Sequence, residues 1–348
     1  MLILGHRTVA EVLRGRETTV LDLIARAYRL HDEGASANPQ SVFLRFPGAS
    51  RNRIIALPAF LGGPVPTAGV KWIASFPGNL EDGLPRASAA ILLNSVETGR
   101  PDALIEGALI SATRTAASAA LAAKLLLDAT AGAPRDGVAL IGCGVINFAI
   151  LRFLAAAGVP LPAVTVFDRD EPRATWFLAR CAEIVPTAEL RVAGDVSAAV
   201  AAHGLLSLAT TAAEPHLGLE AVRPGTVVLN ISLRDLTPEA VLAGGNVVDD
   251  VEHVCRERTS VHLAERLAGH RDFIGATLGG LLRGTARFTP DPAAATVFSP
   301  FGLGVLDLAL AGFVHAEAAA AGVGTRFAEF LPEAEPPPAV VAVEEEGL

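Results

Sequence analysis

The chain has 348 residues, 51% of them hydrophobic, and a formal charge of −9, enough apolar material for about two cores at roughly 150 residues per domain. The acidic balance and scattered arginines exclude nucleic acid as the main partner, because that would want a basic face. Three cysteines, Cys143, Cys181 and Cys255, are an odd number without metal-ligand spacing; they exclude a disulfide framework and a metal site and point to a reducing, cytoplasmic setting.

In chain order, MLILGHRTVAEVLRGRE has too short an apolar stretch for a signal peptide. An amphipathic helical stretch follows at 19–33, then β-like runs at 41–46, 53–57, 68–75 and 88–94, separated by the turn clusters LGGP, FPGN and ETGRPD. The Ala/Leu-rich segment 114–132 predicts a long helix stopped by Gly132 and Pro134. Lys124 and Asp128 interrupt it, so no membrane span is expected there.

Beyond it the pattern changes. Apolar strands are expected at 137–144, 164–168, 189–192, 204–210, 226–232 and 246–250, with helices at 145–157 and 171–184. Strands alternating with helices predict an α/β fold built on a Rossmann-type, doubly wound parallel sheet. Residues 305–327 return to an Ala-rich helix, and the Pro- and Glu-rich tail 331–348 reads as loose.

VALIGCGVIN places Gly142 and Gly144 where a strand hands over to a helix. The first glycine permits a tight turn; the second lets the backbone approach a pyrophosphate seated on the helix N-terminus. Asn147 stands where the third glycine of the fingerprint belongs, so this helix is expected to pack less closely on the sheet. Asp168 ends the next strand, where an acid binds the ribose 2′-OH and points to NAD. Arg169 beside it is the feature that would accommodate a 2′-phosphate instead. Thr210, after a later strand end, is a further candidate cofactor contact, and Cys143 reads as a small packing residue.

Only two lysines occur, Lys71 and Lys124, against 28 basic residues in all. Lys71 lies in the apolar run AGVKWIASFP, where desolvation penalises charge. A buried ammonium lowers its pKa and trades protons near neutrality, which a guanidinium does not. Arg45 in VFLRFP and Arg114 in ISATRTAAS, at an expected helix start, offer planar forks suited to carboxylates. Each of the three could instead pair with a buried carboxylate for structure; together they favour a shared site for an anionic, small-molecule amino acid. Asp235 in LNISLRDLTPEA follows a strand at the carboxyl edge of the sheet, placed to activate water or hold an ammonium, or else to serve as a helix N-terminal acid. Asp307 would cap or close the site from the last helix. The eight histidines show no ligand spacing, and Asp249 and Asp250 read as a strand-end turn.

The ordered segments FLRFP, RIIALPAFLGG, KWIASFPGN, PRASAAILLN, RTAASAALAAK, IGCGVIN, NISLRD and FSPFGLGVLDLA resemble the ornithine cyclodeaminase/mu-crystallin superfamily along nearly the whole chain. KWIASFPGN, PRASAAILLN and RTAASAALAAK look most like the N-(2-amino-2-carboxyethyl)-L-glutamate dehydrogenases, which make L-2,3-diaminopropionate for siderophores and peptide antibiotics. The resemblance implies an NAD-binding Rossmann domain over 114–304. It also implies an α+β substrate-binding and dimerisation domain over 1–113, completed by 305–330, in a homodimer. It makes Arg45 and Arg114 substrate residues, Lys71 and Asp235 catalytic ones, and Gly142, Gly144, Val145, Ile146 and Asp168 the cofactor lining. The implied reaction is oxidation at the α-carbon of the glutamyl part, then hydrolysis of the imine to 2-oxoglutarate and L-2,3-diaminopropionate. Ornithine cyclodeamination, ketimine or imine reduction, and mu-crystallin-like binding without turnover remain the alternatives.

Overall fold

Two eight-stranded sheets organise the structure, a computed structural model that describes residues 1–332. The residues read as a loose tail lie outside this range from 333 onward. The first sheet runs in the order Thr325–Arg326, Leu2–Leu4, Pro101–Glu106, Ala87–Asn94, Thr67–Ser75, Ala49–Leu61 and Ser36–Ala37, with Val42–Phe46 also paired to Ala49–Leu61. It is antiparallel except where Leu2–Leu4 runs parallel to Pro101–Glu106. Side chains alternate across a strand, so Lys71 turns inward and is buried while Trp72 is left on the outer face. Lys71 lies opposite Leu57 on one side and Ile91 on the other, and helix Gly304–Ala320 packs over this inner face.

The second sheet is wholly parallel, in the order Glu189–Val192, Ala163–Phe167, Val138–Ile141, Leu205–Leu208, Val227–Asn230, Thr296–Ser299, Gly245–Val248 and Ile274–Thr277. Helices cover both faces, so central strands such as Val138–Ile141 are buried at every residue. Each aliphatic side chain removed from water there contributes roughly 1.5–3 kcal/mol. The strand order reverses between Val138–Ile141 and Leu205–Leu208, which opens a crevice at the carboxyl ends of those strands.

The structure moves several expected boundaries. The long helix spans Ala108–Ala129, so Arg114 sits two turns inside it rather than at its start. The side chain of Glu106 accepts from the N–H groups of Ala108 and Leu109 at 2.7 and 3.3 Å and starts the helix early. Part of the segment read as the turn ETGRPD is strand: Pro101 opens Pro101–Glu106, a first-residue position where its missing N–H is tolerated. The last helix ends at Ala320 because Gly322 and Gly324 adopt left-handed backbone, and Thr325–Arg326 then joins the first sheet.

Asn147 corrects the expected loose helix. It is fully buried; its amide donates to the carbonyls of Ile141 and Gly142, both at 2.9 Å, and its oxygen accepts from Ser207 Oγ at 2.7 Å. Where a glycine would let helix and strand touch, the asparagine ties them by hydrogen bonds.

Candidate active site

A continuous cleft lies between the two sheets, in two joined cavities of about 780 and 880 Å³. Its floor is the crevice of the parallel sheet. Gly142 has φ +91°, and a Cβ there would lie 2.5 Å from the carbonyl of Ala209, so the turn admits glycine alone. Gly144 has nothing within 4 Å of its missing side chain. It precedes helix Val145–Ala156, whose first turn has no side-chain cap, leaving backbone N–H groups free for an anion. Asp168 stands at the rim, its two oxygens accepting from the N–H groups of Cys143 at 2.8 Å and Asp170 at 3.1 Å. Gly142, Asp168 and Arg169 line one cavity, Val145 and Ile146 the other, and Gly144 and Thr210 both. These features together fit a dinucleotide. The Cys143 thiol is buried, which pushes its pKa up to about 12, in keeping with a packing role.

One wall carries the buried charges. Lys71 Nζ meets Asp307 Oδ2 at 2.5 Å and Ser111 Oγ at 3.2 Å. Arg114 Nε meets Asp307 Oδ1 at 2.9 Å. Burial drives the Lys71 pKa down to about 8; the Asp307 carboxylate opposes this and the Arg114 guanidinium adds to it. Ser111 and Arg114 line the cleft, whereas Lys71 is not a lining residue and stands one hydrogen bond behind Ser111. Gly302, at φ +94°, leaves room for the guanidinium, since a Cβ would lie 2.8 Å from Arg114 Nη1. Asp249 secures that loop by accepting from the N–H groups of Phe301 at 2.9 Å and Gly302 at 2.7 Å. Asp307, read in the sequence as closing the site, is thus the shared counter-ion of both cations.

Asp235 lies behind the other wall, fully buried and outside the lining, accepting from Thr210 Oγ1 at 2.5 Å and from Ser232 Oγ, with His216 Nε2 at 3.8 Å. Burial raises its pKa, while the Thr210 hydrogen bond and His216 lower it. Thr210, Ser232 and His216 line the cleft around it. Leu233, two residues before, holds a left-handed φ of 65°, a strained position of the kind that clusters at functional sites. Arg45 is not brought into the cleft lining: its side chain is 55% exposed and ion-paired with Glu257. Ser111 and His216 escaped the sequence reading. Ser111 carried a signal, because it precedes Arg114 by three residues and so shares its helix face; His216 carried none.

A family model described as "Ornithine cyclodeaminase/mu-crystallin family" matches residues 6–322. The chain belongs to that family. This family member is 27% identical over 331 residues to the N-((2S)-2-amino-2-carboxyethyl)-L-glutamate dehydrogenase of Staphylococcus aureus, covering 93% of this chain and 97% of that one. Its fold is similar to that of Thermococcus litoralis Delta(1)-pyrroline-2-carboxylate reductase, solved with NADH and L-proline, at TM-score 0.86 and 26% identity over 94% of this chain and 100% of that one. It is also similar to an archaeal alanine dehydrogenase dimer with bound NAD, at TM-score 0.83 and 27% identity over 95% and 99% of the two chains.

Proposed function

We propose that this family member is an NAD-dependent oxidoreductase that cleaves N-(2-amino-2-carboxyethyl)-L-glutamate to L-2,3-diaminopropionate and 2-oxoglutarate. The observation that carries the reading is the buried Lys71–Asp307–Arg114 network facing a dinucleotide-shaped cleft with a buried carboxyl, Asp235, just behind its other wall. The near full-length likeness to the Staphylococcus aureus dehydrogenase supports this substrate. The cofactor is NAD, whose nicotinamide, when bound, supplies the redox chemistry; Asp168 is the residue suited to its ribose hydroxyls.

Arg114 holds the carboxylate beside the reacting carbon with its outer guanidinium nitrogens, because Nε is engaged by Asp307. Lys71, with a pKa near 8, takes the proton of the substrate's secondary amine in its neutral form and returns it later. Asp235 positions the water that hydrolyses the carbon–nitrogen double bond, with Thr210 and Ser232 steering its oxygens. Water attacks the imine carbon, the C–N bond breaks, and the nitrogen leaves as the amine of diaminopropionate. In the assay, purified protein with NAD⁺ and this substrate yields NADH and 2-oxoglutarate in equal amounts. Ornithine giving ammonia without accumulating NADH would replace the reading with cyclodeamination.

A second reading, reduction of a cyclic imine, draws on the likeness to the Thermococcus litoralis enzyme. NADH consumption with pyrroline-2-carboxylate selects it. For assembly, the outer face of the first sheet leaves Val42, Leu44, Phe60 and Trp72 exposed by 65%, 45%, 38% and 46%, an apolar patch suited to a second copy of this chain.

A further inference from the structure

The inner face of the first sheet ends in a row of positive charge that the reaction above does not use. Register places Arg45 opposite Arg53, Arg53 opposite Ser75, and Ser75 opposite Ala87, next to Arg86. Like charges directly opposite each other destabilise an antiparallel pair, so the fold gains nothing from Arg45 facing Arg53. Arg53 and Ser75 lie four residues from Leu57 and Lys71 respectively, and the even spacing puts them on the same face as Lys71. Arg86 donates from Nη1 to Ser75 Oγ at 3.0 Å and lines the cleft together with Ile73 and Arg114. Arg234 adds a fourth guanidinium from the loop that carries Asp235.

Negative charge is scarce there. Glu257 pairs with Arg45, and its carbonyl accepts from Arg234 Nη2 at 2.9 Å. Among the described residues no carboxylate lies within ion-pair distance of Arg53, Arg86 or Arg234. Arg53 Nε is buried without a hydrogen-bond partner. Burial and then Arg234, Arg86 and Arg45 push the Arg53 pKa down, with the Glu257 carboxylate opposing them more weakly. Arg53 is half-buried and is not itself a cleft-lining residue; Arg86 is, and an anion held there offsets the mutual repulsion of these crowded guanidinium groups. Arg86 and Arg114 line the same cavity from different elements, and their long side chains can close on the two ends of one short dicarboxylate, whereas a single carboxylate engages only one of them.

We propose that Arg53 and Arg86 form a second carboxylate subsite, which takes the distal carboxylate of a dicarboxylic amino or oxo acid while Arg114 takes the carboxylate at the reacting carbon. This rests on the dehydrogenase reading and adds the residues that make it selective for a glutamyl chain. Alanine-sized and ornithine-like substrates offer nothing to this subsite.

The test is binding to the NADH-loaded full chain, comparing 2-oxoglutarate with 2-oxopentanoate, which has the same carbon chain without the distal carboxylate. The wild type should prefer 2-oxoglutarate by at least roughly tenfold, as expected for hydrogen bonds to a charged group. Arg53→Gln and Arg86→Gln should each bring that ratio close to one while NADH still binds, and Arg53→Lys should recover part of it. Arg86→Gln leaves the cross-strand ladder untouched and carries the test alone if Arg53→Gln does not fold. No preference in the wild type, or a preference that survives both glutamine variants, overturns the subsite. If discrimination is lost in the variants but N-(2-amino-2-carboxyethyl)-L-glutamate is not oxidised by the wild type, the reaction reading fails and the subsite stands. If that substrate is oxidised and the variants still discriminate, the subsite alone fails.

Discussion

Asp307 bridges the two buried cations of the site, touching Lys71 with one carboxylate oxygen and Arg114 with the other. Lys71 is 2% exposed and Asp307 0%, so neither charge has water to fall back on. Asp307→Asn leaves both cations uncompensated and should destabilise the fold by ~3–5 kcal/mol. Urea unfolding measures this; a loss below ~1 kcal/mol would show that the network contributes little to the folded state.

The depressed Lys71 pKa sets a pH dependence. The neutral amine is the base, so kcat/KM for oxidation should climb as pH rises and level off above about 8. Lys71→Arg should still bind substrate yet lose turnover and this limb. A limb unchanged in the variant, in a pH–rate profile, removes Lys71 from the chemistry. Stability follows the same group. Between about 8 and its ordinary value of 10.5 the unfolded chain holds a proton that the folded chain has released. The penalty for burying Lys71 is therefore full below that window and shrinks as pH rises through it.

Gly302→Ala places a Cβ against Arg114 Nη1 at a backbone angle that disfavours side chains. Displacing the guanidinium should raise the substrate KM by roughly tenfold, the loss of about one charged hydrogen bond, with little change in NAD affinity. Steady-state kinetics beside NAD titration reads both; an unchanged KM would mean that Arg114 does not hold substrate.

Asn147→Ala removes two hydrogen bonds, to the carbonyls of the strand end Ile141 and the turn residue Gly142, and leaves Ser207 Oγ without its acceptor in the core. The expected cost is ~1–3 kcal/mol, together with weaker NAD binding, because the same amide braces the turn at Gly142. Thermal melts with and without NAD separate the two effects, and full NAD affinity in a destabilised variant rejects the second.

Trp72→Glu puts a charge at the centre of the exposed apolar sheet face while leaving the buried face of the strand, Lys71 included, untouched. Sedimentation should show the wild type as a dimer and the variant shifted to monomer. A variant that stays dimeric would move the interface elsewhere.

What could be read without coordinates was local. Gly142, Gly144 and Asp168 stand out as candidates through a strand–turn–helix spacing within one unit, and Lys71 through its apolar neighbours, because period-2 alternation and tight turns are imposed over a few residues. The tie made by Asn147 was already beyond that range, since a side chain that bonds two carbonyls and a hydroxyl is recognised only once helix and strands are packed. Long-range partners were further still. Asp307 is 236 residues from Lys71, and Glu257 meets Arg45 across 212. The facing of Arg45 and Arg53 needed the strand register. Composition and periodicity thus determined the α/β plan, the nucleotide turn and the candidate cations. Tertiary packing alone decided which carboxylate each cation meets and which arginines meet none, because charge pairing depends on distances of a few ångströms between segments that no local pattern relates.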